Sequence, residues 1–306
     1  MVALFKVLGG VARLPFLTLT VVCISLATTA AWYQQAAPSA ELVVLVFGMA
    51  LAAHISANAL NEYFDFRSGL DFLTRRSPFN GGSGTLVAQP NQAPLALGLG
   101  ILSLILVCAA GLWLSALQSW HLLWLGIPGV ALIYTYTQYL NKHPLLCLIA
   151  PGLGFGGFMT LGAYWVLAGQ VDAMALSLAT LLALLISNLL LLNQFPDVEA
   201  DRQVGRRHLP IVLGRTGSAV VFTVILAATY LLLVVFVWQG WLPRQSLLAL
   251  FSLPLVWPLV RKLFRYAEQV EHLTPVLALN TILTHVLPAL LLLGLVWAGF
   301  SPATDV

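Results

Sequence analysis

Charge is what this chain lacks. Only 8% of its 306 residues are Asp, Glu, Lys or Arg, about a third of the share usual in a soluble domain, so a water-facing globule is excluded. Cysteine is also scarce: Cys23, Cys108 and Cys147 lie singly inside apolar stretches with no paired spacing. They read as small buried hydrophobes, with no disulfide framework or zinc site expected. Acid is sparse as well, with eleven carboxylates in all. Apolar residues make up 60% of the chain, in runs of about 20 residues, the length that crosses a bilayer as helix.

Nine such runs can be marked, at 15–34, 41–63, 93–115, 119–140, 145–168, 172–194, 217–239, 246–263 and 276–299. The expected fold is all-α and polytopic: one transmembrane domain over 1–306, with nine helices and a bilayer as its first partner. The first run follows Lys6 and Arg13 as a secretory signal would, but eight more follow it and no small-x-small cleavage site precedes Trp32, so an uncleaved helix is expected. Basic residues fix the orientation. With a cytoplasmic N-terminus, thirteen of the fourteen Lys and Arg fall on the inside and only Arg244 on the outside. An integral protein of a prokaryotic cytoplasmic membrane fits this asymmetry, and no nucleic-acid partner is expected. Outer loops are short, whereas the cytoplasmic connections 65–92 and 195–216 are long, polar and rich in Gly and Arg, as functional loops are.

Six of the eleven carboxylates fall in two short windows. Glu62, Asp65 and Asp71 occupy the first, and Asp197, Glu199 and Asp201 the second. Asn61 and Asp65 recur as Asn193 and Asp197 at one constant offset of 132 residues, four expected spans apart, which suggests a parallel four-helix repeat with a ninth helix added. Residues four apart share a helical face, so Asn61 with Asp65, and Asn193 with Asp197 and Asp201, are expected as stripes. His54 and Asn58 extend the first stripe deeper; a lone His here reads as a packed residue more readily than as a base. Glu62 and Glu199 lie off the stripes and read as structural.

Carboxylates with amide oxygens suit a hard cation such as Mg²⁺, which commonly bridges protein carboxylates to phosphate. Arg67, Arg75, Arg76, Arg202, Arg206 and Arg207 stand beside them and could bind phosphate oxygens, although topology alone accounts for about half of such basic residues. A pyrophosphate-sized anion at the cytoplasmic mouth is the ligand implied. A secondary transporter would place its acids near the bilayer midplane. A phosphotransferase acting on nucleotide-activated alcohols would carry Asp-Gly followed by Ala-Arg, which neither window does. A scaffold would not need matched acids, and a structural ion network explains the repetition poorly.

The segments Asn58-Ala-Leu-Asn61-Glu-Tyr-Phe-Asp65-Phe-Arg-Ser-Gly69-Leu-Asp71 and Asn193-Gln-Phe-Pro-Asp197-Val-Glu-Ala-Asp201-Arg-Gln-Val-Gly205-Arg-Arg resemble the two aspartate-rich motifs of the UbiA superfamily of intramembrane prenyltransferases. Arg13-Leu-Pro15 and His208-Leu-Pro-Ile-Val-Leu-Gly214 extend the likeness. It implies nine helices around a central cavity and Mg²⁺-dependent transfer from a polyprenyl diphosphate donor to an aromatic acceptor. By motif position it implies metal ligands at Asn61, Asp65, Asp71, Asn193, Asp197 and Asp201. Asp65, Asp197, Arg75 and Arg76 become catalytic candidates; Arg13, Asn58, Arg67, Tyr134, Arg206 and Arg207 become substrate contacts. The six-residue step from Asp65 to Asp71 resembles the MenA branch, which prenylates dihydroxynaphthoate in quinone biosynthesis. The connection 133–142 departs from the familiar patterns, so 4-hydroxybenzoate, a porphyrin or a lipid alcohol stay open as acceptors.

Overall fold

The computed structural model describes residues 2–301, and every regular element among them is helical. A short helix α1 (Val2–Val11) precedes the bundle, and Arg13, in the left-handed region at φ 50°, turns the chain into it. The long helices are α2 (Leu17–Tyr33), α3 (Ala40–Ser68), α4 (Ala93–Leu117), α5 (Leu123–Gln138), α6 (Pro144–Ala168), α7 (Ala173–Asn193), α8 (Gly214–Trp238), α9 (Leu253–Tyr266) and α10 (Thr274–Phe300). Eight of these, some extended by a flanking 3₁₀ turn, are long and apolar enough to cross a membrane. The expected span 119–140 is the exception: α5 has 16 residues, about 24 Å of helix, and needs the 3₁₀ turns Trp120–Leu122 and Leu140–Lys142 at its ends to complete the reach. The eighth expected span, 246–263, begins as a 3₁₀ stretch over Arg244–Ser252 before α9 continues it.

Burial separates centre from rim. The apolar window of α7 is 72% buried, that of the span containing α4 only 17%; α7 is the axle and α4 faces lipid. Leu181, Leu182, Leu185 and Ile186 of α7 pack among α2, α8 and α10 in one continuous core, while Trp113, Trp124, Trp238 and Trp297 remain exposed, as aromatic side chains of membrane proteins commonly do at the lipid boundary.

Two local devices shape the interior. Within α6, Leu153–Thr160 winds as a π-helix, a form that occurs mostly near functional sites. Gly152 and Gly156, four residues apart, let α6 lie directly against the α7 backbone; a Cβ on Gly156 would sit 2.6 Å from the Ala183 nitrogen and against the Ala179 carbonyl. The second device ends α3. The Ser39 hydroxyl caps its start by accepting from Leu42 N–H at 3.2 Å, and Gly69, at φ 82°, stops it in the left-handed region. The helix therefore runs past the expected end at 63, and Asp65 is still on its last turns.

Candidate functional site

A cavity of about 570 Å³ opens where both acidic segments end and runs inward between α2, α3, α5, α6 and α7. His54, Asn58, Asn61 and Asp65, at steps of four, three and four, all line it from α3. After Gly69 the chain folds back through the turn Leu70–Leu73, which brings Asp71 to the same rim. On the other side α7 ends at Asn193. The stripe expected to run through Asn193, Asp197 and Asp201 on one helix is therefore broken: Pro196 lacks an N–H and restrains the residue before it, so Asp197 starts a separate helix, Val198–Gln203. The Asp201 N–H still reaches the Asp197 carbonyl at 2.8 Å, and Asn193, Asp197 and Asp201 all line the cavity.

The two acidic segments meet through one guanidinium. Arg206 donates to Asp65 and, at 3.0 Å, to Asp201. Asp201 also receives His208 Nε2 at 2.8 Å, and His208 is buried. The loop after the first segment crosses to the second, where the Asn80 amide donates to Asp197 at 2.6 Å. The sequence assigns no site role to Asn80 or His208, although His208 opens one of the segments that carry the family likeness. Phe79-Asn-Gly-Gly and His208-Leu-Pro were the visible signals, since a polar residue beside a forced turn is held in one direction.

Glu62, fully buried, ties this rim together. Its carboxylate takes Arg13 Nε at 2.7 Å, the Ser83 N–H at 2.6 Å and the Ser83 hydroxyl at 2.8 Å. Arg13 also donates to Asn61 Oδ1 at 3.0 Å, and the Asn61 amide donates to Thr137 at 3.1 Å. Asn58 donates to the Ala12 carbonyl at 2.9 Å, fastening the end of α1 to α3. The glycine-rich loop fits closely: Gly82 sits at φ 70°, and a Cβ there would lie 2.8 Å from Asp71 Oδ1.

Five expected contacts lie elsewhere. Arg67 and Arg207 are exposed and do not line the cavity. Arg75 extends toward Glu271 at 4.0 Å on the surface, and Arg76 turns back to the carbonyls of Gly81 and Asp71, both at 3.2 Å, bracing its own loop. Tyr134 is 47% exposed and meets Phe64 edge-on, whereas Tyr136, two residues on, lines the cavity. A helix turns a residue two positions away to a different face.

Burial, with the neighbouring charges of Glu62 and Asp65, pushes the Asp71 carboxyl up to about 7. Burial, with the Asp201 charge, does the same to Asp197, also to about 7. Asp71 Oδ2 and Asn193 Oδ1 are buried acceptors with no partner among the described residues, an arrangement that costs free energy until a cation or donor arrives. All the candidate ligands are oxygens, which suits a hard divalent ion. Among the described residues no three His, Cys, Asp or Glu are gathered closely enough to hold a metal by themselves. The donor set therefore fits an ion that keeps water or phosphate oxygens as its remaining ligands, as Mg²⁺ does.

Comparison with known proteins agrees with this architecture. The sequence description of the UbiA prenyltransferase family matches residues 20–282. The 1,4-dihydroxy-2-naphthoate octaprenyltransferase of Bacillus subtilis is 26% identical over 241 residues, 77% of this chain and 75% of the relative. A UbiA homologue from Aeropyrum pernix K1 superposes with a TM-score of 0.68 at 18% identity, covering 90% of this chain and 97% of that one. One from Archaeoglobus fulgidus, bound to DMAPP and Mg²⁺, gives 0.60 at 13% identity, covering 93% and 98%.

Proposed function

Because the chain belongs to the UbiA prenyltransferase family, we propose that it transfers a polyprenyl group from a polyprenyl diphosphate to an aromatic acceptor, with Mg²⁺ as cofactor and a dihydroxynaphthoate-like ring as substrate. The observation that carries this reading is the convergence of two acidic segments, remote in sequence, on the mouth of one apolar cavity. The name of the Bacillus subtilis relative supports the acceptor, and the ligands of the Archaeoglobus fulgidus homologue support the donor and the metal. The basic bias of the same end supports a cytoplasmic mouth and N-terminus in a prokaryotic inner membrane.

Asp65, Asp71, Asn193, Asp197 and Asp201 are the residues that would hold the metal, with Asn61 once Arg13 releases its oxygen. Bound Mg²⁺ neutralises charge on the leaving diphosphate. Arg13 and Arg206, the two arginines lining the cavity, supply donors for the diphosphate oxygens. As the prenyl C–O bond breaks, the departing oxygen gains charge beside these cations, and the apolar walls below keep water from the allylic carbon. A ring carbon of the acceptor bonds to that carbon, and the ring regains aromaticity by giving a proton to a base or, where that ring carbon carries a carboxyl group, by releasing carbon dioxide.

The purified protein, given polyprenyl diphosphate, Mg²⁺ and either 1,4-dihydroxy-2-naphthoate or 4-hydroxybenzoate, is expected to release diphosphate and prenylate the naphthoate. Donor cleavage with no prenylation of either ring would refute the acceptor assignment and favour a lipid alcohol or porphyrin.

A pH dependence follows from the two raised carboxyls. Asp71 and Asp197 titrate near pH 7, and only the ionised forms accept a cation. Mg²⁺-dependent donor binding should strengthen as pH rises from about 6 to about 8 and weaken as it falls. Without metal the sign reverses for the fold. Both groups bind protons more tightly folded than at their ordinary 3.8, so their contribution to stability is present at low pH and lost as pH climbs toward 7. Melting curves with and without Mg²⁺ across that window read both trends; a Mg²⁺ effect independent of pH would count against these two ligands.

A further inference from the structure

His54 lies on the cavity-lining face of α3, seven residues before Asn61 and eleven before Asp65, roughly 10 and 16 Å along the helix axis. Its Nδ1 meets the Thr20 hydroxyl of α2 at 2.7 Å, and both residues are buried. The ring also packs edge to face with Phe155, on the π-helical part of α6, at 4.9 Å between centroids.

The threonine determines which ring nitrogen carries the hydrogen. Thr28, Thr180, Thr229 and Thr284 each donate to the carbonyl four residues earlier in their own helix. Thr20 has no such bond among the described residues; its one hydrogen-bond contact is His54 Nδ1. A hydroxyl in an apolar core gives its hydrogen to the acceptor at hand, so Thr20 donates to Nδ1. A neutral imidazole has one N–H, which then sits on Nε2. That atom has no hydrogen-bond partner among the described residues, on a side chain that lines the cavity.

We propose that His54 is a specificity-determining residue whose Nε2–H binds an oxygen of the aromatic acceptor. This rests on the prenyl-transfer reading above and adds the polar contact that orients the ring. The isoprenoid tail has no oxygen to offer, and the diphosphate oxygens belong at the level of Asp65, about three helical turns away along α3. An oxygen at the depth of His54 therefore belongs to the acceptor. Thr20 holds the ring as a donor, which gives it affinity for a phenolic or carboxylate oxygen. The Phe155 edge limits rotation of the imidazole, so the hydrogen bond also sets the angle at which the acceptor faces the mouth.

His54→Leu is expected to raise KM for 1,4-dihydroxy-2-naphthoate about tenfold, the loss of one hydrogen bond, while KM for polyprenyl diphosphate stays unchanged. His54→Gln, which retains an N–H, should recover most of that loss. Prenyl transfer insensitive to position 54, or a shift in donor KM in place of acceptor KM, would overturn the assignment and leave the prenyltransferase reading standing. Absence of transfer by the unsubstituted protein would instead overturn that reading. A second measurement needs neither variant nor turnover: ¹⁵N-histidine spectra of the intact protein should show hydrogen on Nε2 and a shift of that nitrogen when the naphthoate is added, but not when polyprenyl diphosphate is added. Hydrogen on Nδ1, or a response to the donor alone, refutes the proposal.

Discussion

Asp65→Ala and Asp197→Ala should each lower the rate of diphosphate release by about 10²- to 10³-fold, the usual cost of removing a group that stabilises charge at the reacting centre. Each removes one carboxylate from a different acidic segment, and neither segment holds enough acid to compensate. The fold should survive both changes. Without Asp65, Arg206 keeps Asp201 at 3.0 Å; without Asp197, Asn80 loses a partner but still reaches the Arg75 carbonyl at 3.3 Å. Melting temperatures therefore separate a damaged site from a damaged protein. Full activity in both variants would remove the metal and diphosphate roles from these residues altogether.

The second large effect is on stability. Gly156→Ala places a methyl group against the Ala179 carbonyl and 2.6 Å from the Ala183 nitrogen, on the most buried helix of the bundle. Backbone cannot yield as a flexible side chain can, so α6 must move away from α7, at a cost of about 1–3 kcal/mol or more. The same displacement carries Phe155, which lines the cavity and touches His54. Loss of thermal stability in detergent should thus accompany weaker acceptor binding. Gly157→Ala is the control, since a Cβ there meets only the end of Leu153 at 3.6 Å. Equal stability of the two variants would show that α6 and α7 are not in this close contact.

Much of this architecture can be read from composition. Hydropathy marks the helices because a chain with so little charge has few other solutions in lipid, and the paired Asn-x-x-x-Asp segments mark the mouth. What hydropathy misses is local geometry. Pro196 splits a stripe that periodicity draws as continuous, and the π-helical turn in α6 shifts faces that a regular 3.6 period would predict. Arginines are the hardest residues to place from sequence. Arg206, and Arg13 from far upstream, reach the cavity while Arg67, Arg75, Arg76 and Arg207, all close in sequence to the acids, do not, because a long flexible side chain is directed by the partner it finds. Asn80 and His208 sit in visible turn motifs, but their roles are hard to assign for the complementary reason: these come from contacts to residues that only the closed loops bring near.

The Arg206 bridge also bears on how the protein is made. Glu62 has a partner from the outset, for Arg13 precedes it by 49 residues. Asp65 waits for an arginine 141 residues downstream, so a nascent chain carries that carboxylate unmatched at the water edge while α4 to α7 leave the ribosome. Arg206 is the polar joint between the two acidic segments, and only a chain synthesised past it can pair Asp65 through this contact.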